Sequence, residues 1–426
     1  IGNAYLEAYT KEKVYIIAGK EFGDLCKHTL IIQKALYGLQ SSGLRWWERL
    51  SIVLKEMGFS PSEAESDIWL RDCGDHYEYL AQYVDDLAII SKQPQKVIDA
   101  LEKEHEFKLK STGPITYHLG SDFFCDSEGV LCMAPKKYID RMSDIYLRLF
   151  GTKPKTLYTS PLEKVDHPEL DISPKLDAAS IKKYQSLIGA AQWVVSLGRL
   201  DIATAVMTLS SFQAAPREGH LSRIRRVFDY LAKMKHATIR FRTGIPDYLA
   251  VPIVEHEWQK TDAQELVPDD APRPLGKPVL TTTLVDANLC HDMAMGRAVT
   301  GIVHFINQTV IDFYSKKQSL VKTATYGSEF MAARTGTEQI IELHTTLRYL
   351  GVPIQGTSYM FGDNKTVVDS SINPASKLNK SHVILSYHRI HEAIAAKILY
   401  FHLSMGRTIQ PTFSVRPGDI PISGPC

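Results

Sequence analysis

Apolar and polar positions along the chain recur at two different periods, and the change from one to the other divides the molecule. Over residues 1 to about 125, short β-like runs (Val14-Tyr15-Ile16-Ile17, Leu30-Ile31-Ile32, Tyr79-Leu80-Ala81-Gln82-Tyr83-Val84) are interleaved with helical stretches around 44 to 57 and 94 to 106. From about 181 to 235 the period becomes helical. Leu187, Ile188, Ala191, Val194 and Val195 recur at three-to-four spacing, and a second helix follows Pro216. Residues 244 to 279 hold Pro246, Pro252, Pro268, Pro272, Pro274 and Pro278 among acidic and polar residues without an amphipathic period, so they read as a linker. A new domain opens near 280 with a strand (Thr281 to Val285), further strands (Gly301 to Ile306, Val310 to Tyr314) and a long helix from about Ser328 to Leu350. A strand (Ser358 to Gly362) and a helix over about 381 to 396 follow. Interleaved strands and helices predict an α/β (α+β) fold.

Composition narrows this picture. The chain has 426 residues, 44% of them hydrophobic and 23% charged, enough for two to four domains with real cores, which excludes disorder as the dominant state. The longest apolar runs are a few residues, such as Leu87-Ala88-Ile89-Ile90, far short of the ~20 that cross a bilayer, so no membrane span is expected. Ile1 stands where a Met would open a gene and no basic-then-apolar leader follows, so the chain is expected to be a piece of something longer. Cys26, Cys73, Cys125, Cys132, Cys290 and Cys426 form no CxxC pair, which argues against a zinc cluster and a disulfide framework and fits a reducing compartment. Forty-nine basic residues against 48 acidic ones leave a net charge of +1, which taken alone speaks against a polyphosphate partner.

Local chemistry reverses that judgement. Tyr83-Val84-Asp85-Asp86 lies between two β-like runs, so two adjacent carboxylates sit in a hairpin turn. Adjacent carboxylates repel and are costly to desolvate unless divalent cations neutralise them. Ordinary hairpin turn chemistry is the alternative reading of any Asp-Asp pair. From His220 to Arg242 seven basic residues (Arg223, Arg225, Arg226, Lys233, Lys235, Arg240, Arg242) face one acid, Asp229, a local charge of +6. Such a segment can track a phosphate backbone, or it is a solvated basic helix face. In the last domain Asp286 sits at a strand end, Glu329 at the start of the long helix, and Asp363-Asn364 at another strand end. Singly each reads as a cap or turn residue; together, acids at element ends can converge on one metal site.

These motifs, taken in order, resemble copia-type LTR retrotransposon polymerases. Tyr83-Val84-Asp85-Asp86 resembles the catalytic hairpin of reverse transcriptases, and Lys34-Ala35-Leu36-Tyr37-Gly38-Leu39 resembles the segment forming the wall near the incoming nucleotide. The resemblance implies nucleotide contacts from Lys34, Tyr37 and Gly38, the last allowing close backbone approach. The family's next residues, Lys-Gln-Ala-Pro-Arg, are replaced by Gln40-Ser41-Ser42-Gly43-Leu44, with Arg45 one place late. Asn3-Ala4-Tyr5-Leu6 is similar to the Asp-Val-Lys-Asn-Ala-Phe-Leu segment, which implies that Tyr5 is the gate against a ribose 2′-hydroxyl. The catalytic Asp of that segment falls one position before Ile1, so the chain as given is expected to extend primers weakly or not at all. Tyr117-His118-Leu119-Gly120, Tyr184-Gln185-Ser186-Leu187-Ile188-Gly189 and Arg199-Leu200-Asp201-Ile202-Ala203-Thr204-Ala205-Val206 resemble later blocks of the family, and Pro216 with His220 fits the next.

The second acid set resembles the RNase H domain of the same elements, with Ser315-Lys316-Lys317-Gln318 before the helix and Gly327-Ser328-Glu329 opening it. This implies metal-dependent hydrolysis of RNA in an RNA-DNA hybrid by Asp286, Glu329 and Asp363, with Lys316, Lys317, Gln318, His382, His388 and Arg389 near the hybrid. The family's fourth acid lies in an Asp-Asn-Pro-Ala-Asp-Ile-Leu tail. Here Thr408 to Val415 lack it, but their codons, read one nucleotide earlier, permit it. A frameshift near Arg407 is therefore expected, making residues 408 to 426 non-native, with Asp419 a weaker substitute acid.

The resemblance covers about residues 1 to 403. It implies partial fingers and palm over 1–130, an α-rich thumb and connection over 131–243 that carries Arg223, Arg225, Arg226 and Lys233, the Pro-rich acidic linker over 244–279, an RNase H-like domain with a mixed sheet over 280–403, and a non-native tail over 404–426. The implied activity is RNA-directed DNA synthesis with Mg²⁺, or Mn²⁺, held by Asp85 and Asp86. Implied partners are an RNA template, a DNA primer, RNA-DNA hybrid, dNTPs and the rest of the polyprotein. The implied location is a cytoplasmic virus-like particle, with the nucleus as the alternative. Two rivals remain: a decayed remnant that binds nucleic acid, and a hybrid nuclease using only the last domain.

Overall fold

The chain divides where its β-strands find partners. The computed structural model describes residues 2–249, 251–253, 261–319, 321, 324–373 and 384–404, so His382 and the tail beyond Ser404, with Arg407 and Asp419, lie outside the described residues. One unit takes the chain up to Pro114 together with Val267–Pro278 and Thr345–Pro353; the other takes Ile115–Leu266, Val279–His344 and the chain from Ile354 on.

In the first unit β1 (Tyr9–Ile17) and β2 (Thr29–Lys34) form an antiparallel ribbon, and α1 (Ser42–Glu56) follows. Strands β3 (Ser60–Pro61), β4 (Ile68–Asp72), β5 (Tyr77–Tyr83) and β6 (Asp86–Ile90) then make an antiparallel sheet in chain order, before α2 (Pro94–Asp99). Trp46, Leu50, Val53 and Leu54 recur at helical spacing on α1 and are fully buried with Trp69 of β4, Leu80 of β5 and Val97 of α2. Each such aliphatic side chain contributes about 1.5–3 kcal/mol by leaving water. Along β5, Glu78, Leu80 and Gln82 alternate into the buried face.

The expected linker is more than a spacer. It contains no helix or strand among its described residues, yet Arg273 donates to the Asp72 carboxylate, its carbonyl accepts from the Tyr77 hydroxyl, and Leu275 N–H donates to the Gly351 carbonyl. Its second half is thereby fastened into the first unit.

The second unit opens with β7 (Tyr117–His118), β8 (Ser121–Cys125) and β9 (Leu131–Ala134), followed by helices α3 (Lys136–Phe150), α4 (Ala178–Ser196), α5 (Ala203–Ser210) and α6 (Glu218–Lys233), and then β10 (Ile239–Arg240). The structure moves the expected boundary at 130 back to 114. The reason is pairing: β10 returns after the helices to lie on β9, with Cys132 opposite Arg240, and this ties 117–134 to the helical layer. Tyr184, Leu187, Ile188, Ala191 and Val194 form the buried stripe of α4, as the three-to-four spacing predicts.

Strands β11 (Thr281–Asp292), β12 (Arg297–Ile306) and β13 (Thr309–Lys317), helix α7 (Thr325–Tyr349), strand β14 (Ser358–Gly362), helices α8 (Lys365–Ile372) and α9 (Ile384–Ala395), and strand β15 (Leu399–Leu403) complete the chain. The sheet order is β13-β12-β11-β14-β15, antiparallel among the first three and parallel from β11 to β14 to β15. This is the expected mixed sheet with an RNase H-like order. Helix α7 lies close against it at Gly336, where a Cβ would stand 2.6 Å from Val285 Cγ1. No described helix is long and apolar enough to cross a membrane.

Candidate active sites

The β5–β6 hairpin sets its two aspartates by a tight register. Tyr83 pairs with Asp86, which leaves Val84 and Asp85 as the two central turn residues. Val84 has φ 53, a left-handed backbone that costs a β-branched residue about 1–3 kcal/mol. The carbonyl of Val84 accepts the indole N–H of buried Trp46 at 2.5 Å, so helix α1 holds the turn in this shape. Asp85 is half-buried and Asp86 exposed.

Tyr5 and Tyr37 meet beside this turn, with ring centroids 4.4 Å apart. Burial pushes the Tyr37 hydroxyl up, and the negative charge of Asp85 adds to the push, so Asp85 lies within electrostatic reach of that pair. Gly38 has φ +101 with open space around it, so its glycine serves the backbone angle and not packing. Lys34 is exposed on β2, its Nζ 5.6 Å from the Tyr9 ring centroid.

The second acid set is brought together by the parallel strands. Val285 pairs with Gly362, so Asp286 stands next to Asp363, which follows the end of β14; Asp286 itself lies in the middle of β11, which runs on to Asp292, and not at the strand end expected of it. Glu329, in the second turn of α7, supplies the third carboxylate, and ligand oxygens of all three lie within 4.8 Å of one another. Glu329 is 6% exposed, and its carboxyl is pushed up to about 8, first by burial, then by the charges of Asp286 and Asp363, against the lowering effect of the Ala287 N–H. Asn364 caps α8 by accepting from Val367 N–H at 3.2 Å, which fixes the turn that carries Asp363.

Three hard oxygen donors that crowd one another's charge fit a divalent cation of the Mg²⁺ or Mn²⁺ kind, because the ion offsets both the burial that raises the Glu329 carboxyl and the repulsion from Asp286 and Asp363 that adds to it. Among the described residues, groups of three metal-ligating side chains occur at two places: this one, and Cys73, His76 and Glu78. Asp85 and Asp86 belong to neither.

The structure revises several of the expected nucleic-acid contacts. Arg223 Nε and Nη2 donate to Asp166 at 2.9–3.0 Å and its Nη1 donates to Asp171 at 2.5 Å. Arg225 donates to the Tyr146 hydroxyl and lies over the Phe150 ring; Arg226 pairs with Glu163 and lies over Tyr158. Lys233 donates to the Leu157 carbonyl at 3.3 Å. The basic face of α6 therefore holds down the segment before α4. Its neutralising acids, Glu163, Asp166 and Asp171, precede the window over which a charge of +6 was counted.

Gln318 is buried, with its amide donating to Thr300 Oγ1 and to the Ser328 carbonyl, so it joins the end of β13 to the turn of α7 that carries Glu329 and cannot face a hybrid. Lys317 is bound to Asp292 at 2.8 Å and Arg389 to Glu392 at 2.9 Å. Lys316 and His388 are exposed.

One unit thus carries a carboxylate hairpin on an antiparallel sheet, and the other gathers three acids on a mixed sheet. Residues 1–158 match the family model described as reverse transcriptase (RNA-dependent DNA polymerase). A putative transposon Ty5-1 protein of Saccharomyces cerevisiae is 29% identical over 251 residues, covering 57% of this chain and 78% of its own. The retrovirus-related Pol polyprotein from transposon RE1 of Arabidopsis thaliana is 22% identical over 404 residues, covering 94% of this chain and 25% of its own. The chain is thus similar to copia-type retrotransposon Pol polyproteins, and its first 158 residues match the reverse transcriptase family model. It spans about a quarter of the length of the plant polyproteins it matches. Among solved structures, a foamy viral protease-reverse transcriptase in complex with double-stranded DNA has a TM-score of 0.42 at 10% identity, covering 88% of this chain and 51% of that one. An RNase H1 from Halobacterium salinarum has a TM-score of 0.24 at 12% identity, covering 30% and 88%.

Proposed function

We propose that the chain is the polymerase and RNase H portion of a retrotransposon polyprotein, copying an RNA template from a DNA primer with dNTPs and hydrolysing the RNA of the resulting hybrid. The observation that carries this reading is the cluster of Asp286, Glu329 and Asp363, drawn from three separate elements to within 4.8 Å. Divalent ions, Mg²⁺ in the first instance, supply charge neutralisation and activation of water or of a primer hydroxyl when bound. Asp286, Glu329 and Asp363 hold them for hydrolysis, and Asp85 and Asp86 for synthesis. Tyr5 screens the ribose 2′-position, with Lys34, Tyr37 and Gly38 beside the nucleotide. Lys316 and His388, exposed, are the side chains available to the hybrid. The proposed setting is the cytoplasmic virus-like particle, in company with the rest of the polyprotein.

Mg²⁺-dependent primer extension and hybrid cleavage, measured side by side, test this. Asp85→Asn should remove extension and keep cleavage, while Asp286→Asn should do the reverse; variants that affect both activities alike overturn the assignment. A second reading, a hybrid nuclease through the last domain alone, is favoured by the contrast of three converging acids there against two in the hairpin. It predicts cleavage with no extension at all, even in a longer segment of the polyprotein.

A further inference from the structure

The turn between β4 and β5 gathers a different set of ligating side chains. Cys73, His76 and Glu78 each bring one ligand atom within 4.8 Å of the other two. The hairpin register explains how Cys-Gly-Asp-His-Tyr-Glu achieves this. Arg71 pairs with Glu78 and Asp72 with Tyr77, and the Cys73 N–H donates to the His76 carbonyl at 3.0 Å, closing a turn in which Gly74 takes φ +92. Arg273 braces the turn, donating to the Asp72 carboxylate and the Gly74 carbonyl.

Three features point to a ligand. The Nε2 of His76 is buried and has no hydrogen-bond partner, a costly state for an imidazole nitrogen. Its Nδ1 donates to the Asp75 carboxylate at 2.5 Å, which selects the tautomer with a lone pair on Nε2, and a carboxylate behind the ring is the usual outer partner of a metal-bound histidine. Glu78 is 6% exposed and held in place by Arg71 at 2.5 Å and by the Ser91 hydroxyl, and its carboxylate also takes a hydrogen bond from the Cys73 thiol, a contact that shared metal ligation would replace.

We propose that Cys73, His76 and Glu78 bind one Zn²⁺ ion, with a water molecule as fourth ligand. A thiolate, an imidazole and a carboxylate are borderline-to-soft donors that suit Zn²⁺ and disfavour Mg²⁺. The Cys73 thiolate, the Glu78 carboxylate and the Asp75 carboxylate behind His76 together balance the charge of the ion and of the Arg71 guanidinium on Glu78. Tetrahedral Zn²⁺ bonds place ligand atoms about 3.3–3.6 Å apart, so from separations within 4.8 Å the turn needs to close by at most about 1.5 Å, within reach of a rotamer change at exposed Cys73. Strand β5 runs from this turn to the Asp85–Asp86 turn, so the ion pins the strand at its opposite end. The spacing Cys-x2-His-x-Glu lacks the second cysteine whose absence argued against zinc from the sequence.

Titration of the full chain with Co²⁺ as a spectroscopic stand-in tests the site. One equivalent should produce the thiolate charge-transfer band and the visible bands of tetrahedral cobalt, and Zn²⁺ should displace it. Cys73→Ser and His76→Asn should each abolish the bands, Asp75→Asn should weaken binding roughly 10- to 100-fold, and Asp286→Asn should leave the bands intact. Bands that survive Cys73→Ser, or that never appear in the unsubstituted chain, overturn the proposal.

Discussion

Replacing Glu329 by Gln keeps the size and hydrogen-bonding capacity of the side chain and removes its titration. In the folded chain this carboxyl is pushed up to about 8 from an ordinary 4.5, because it is buried beside Asp286 and Asp363. Between those two pH values the folded chain retains a proton that the unfolded chain has released, so stability is full below pH 4.5 and is lost as pH rises towards 8. At 1.36 kcal/mol per pH unit the loss is about 3 kcal/mol at pH 7 and about 5 kcal/mol above pH 8. Glu329→Gln avoids it. Urea denaturation in chelator-treated buffer should therefore show the variant more stable than the parent by about 3 kcal/mol at pH 7 and by under about 1 kcal/mol at pH 5. Adding Mg²⁺ should reverse the order, since only the parent gains a full carboxylate set for the ion. Parallel pH profiles for the two proteins would refute the reasoning, because they would mean that Glu329 is already ionised in the folded state.

Other expected outcomes follow from single contacts. Arg223→Leu leaves Asp166 and Asp171 unpaired and should cost about 2–3 kcal/mol, below the range for a fully buried pair because the site is partly exposed; the salt dependence of nucleic-acid binding should stay unchanged, whereas a true phosphate contact would lower its slope by about 1. Gly336→Ala gains about 1 kcal/mol in helix propensity but drives a methyl group to 2.6 Å from Val285, so denaturation should show a net loss of about 1–2 kcal/mol and hybrid cleavage should fall as α7 shifts from β11. Trp46→Phe removes the donor to the Val84 carbonyl and should destabilise the first unit by about 1–2 kcal/mol, with a greater fractional loss of extension than of hybrid cleavage.

Much of the element pattern was legible in the sequence because it obeys local rules, period two into β5 and period three-to-four along α4, and Asp363 follows a strand end as expected, whereas β11 runs six residues past Asp286. Their convergence was legible only through resemblance. That Asp286 and Asp363 come side by side depends on the parallel pairing of Val285 with Gly362, a contact between residues far apart in the chain that no local pattern encodes. Long-range pairing also explains the misreadings. Arg223 read as a free cation because Asp166 and Asp171 precede it by more than fifty residues. Gln318 read as a surface contact because nothing in Ser315-Lys316-Lys317-Gln318 says that the last amide turns inward to Thr300 and Ser328. The first compact unit ends at Pro114, before the boundary expected at 130, because β10, the partner of β9, lies beyond four helices and draws residues 117–134 into the second unit.

On the proposed function, Asp286, Glu329 and Asp363 form one cation-dependent hydrolytic centre. The most direct test is the rate of RNA-strand cleavage in an RNA-DNA hybrid by the purified chain and by Asp286→Asn across a Mg²⁺ titration. The account predicts cleavage that requires the ion and falls at least about 10³-fold, about 4 kcal/mol, in the variant. Equal rates in the two proteins, or cleavage indifferent to Mg²⁺, would contradict it.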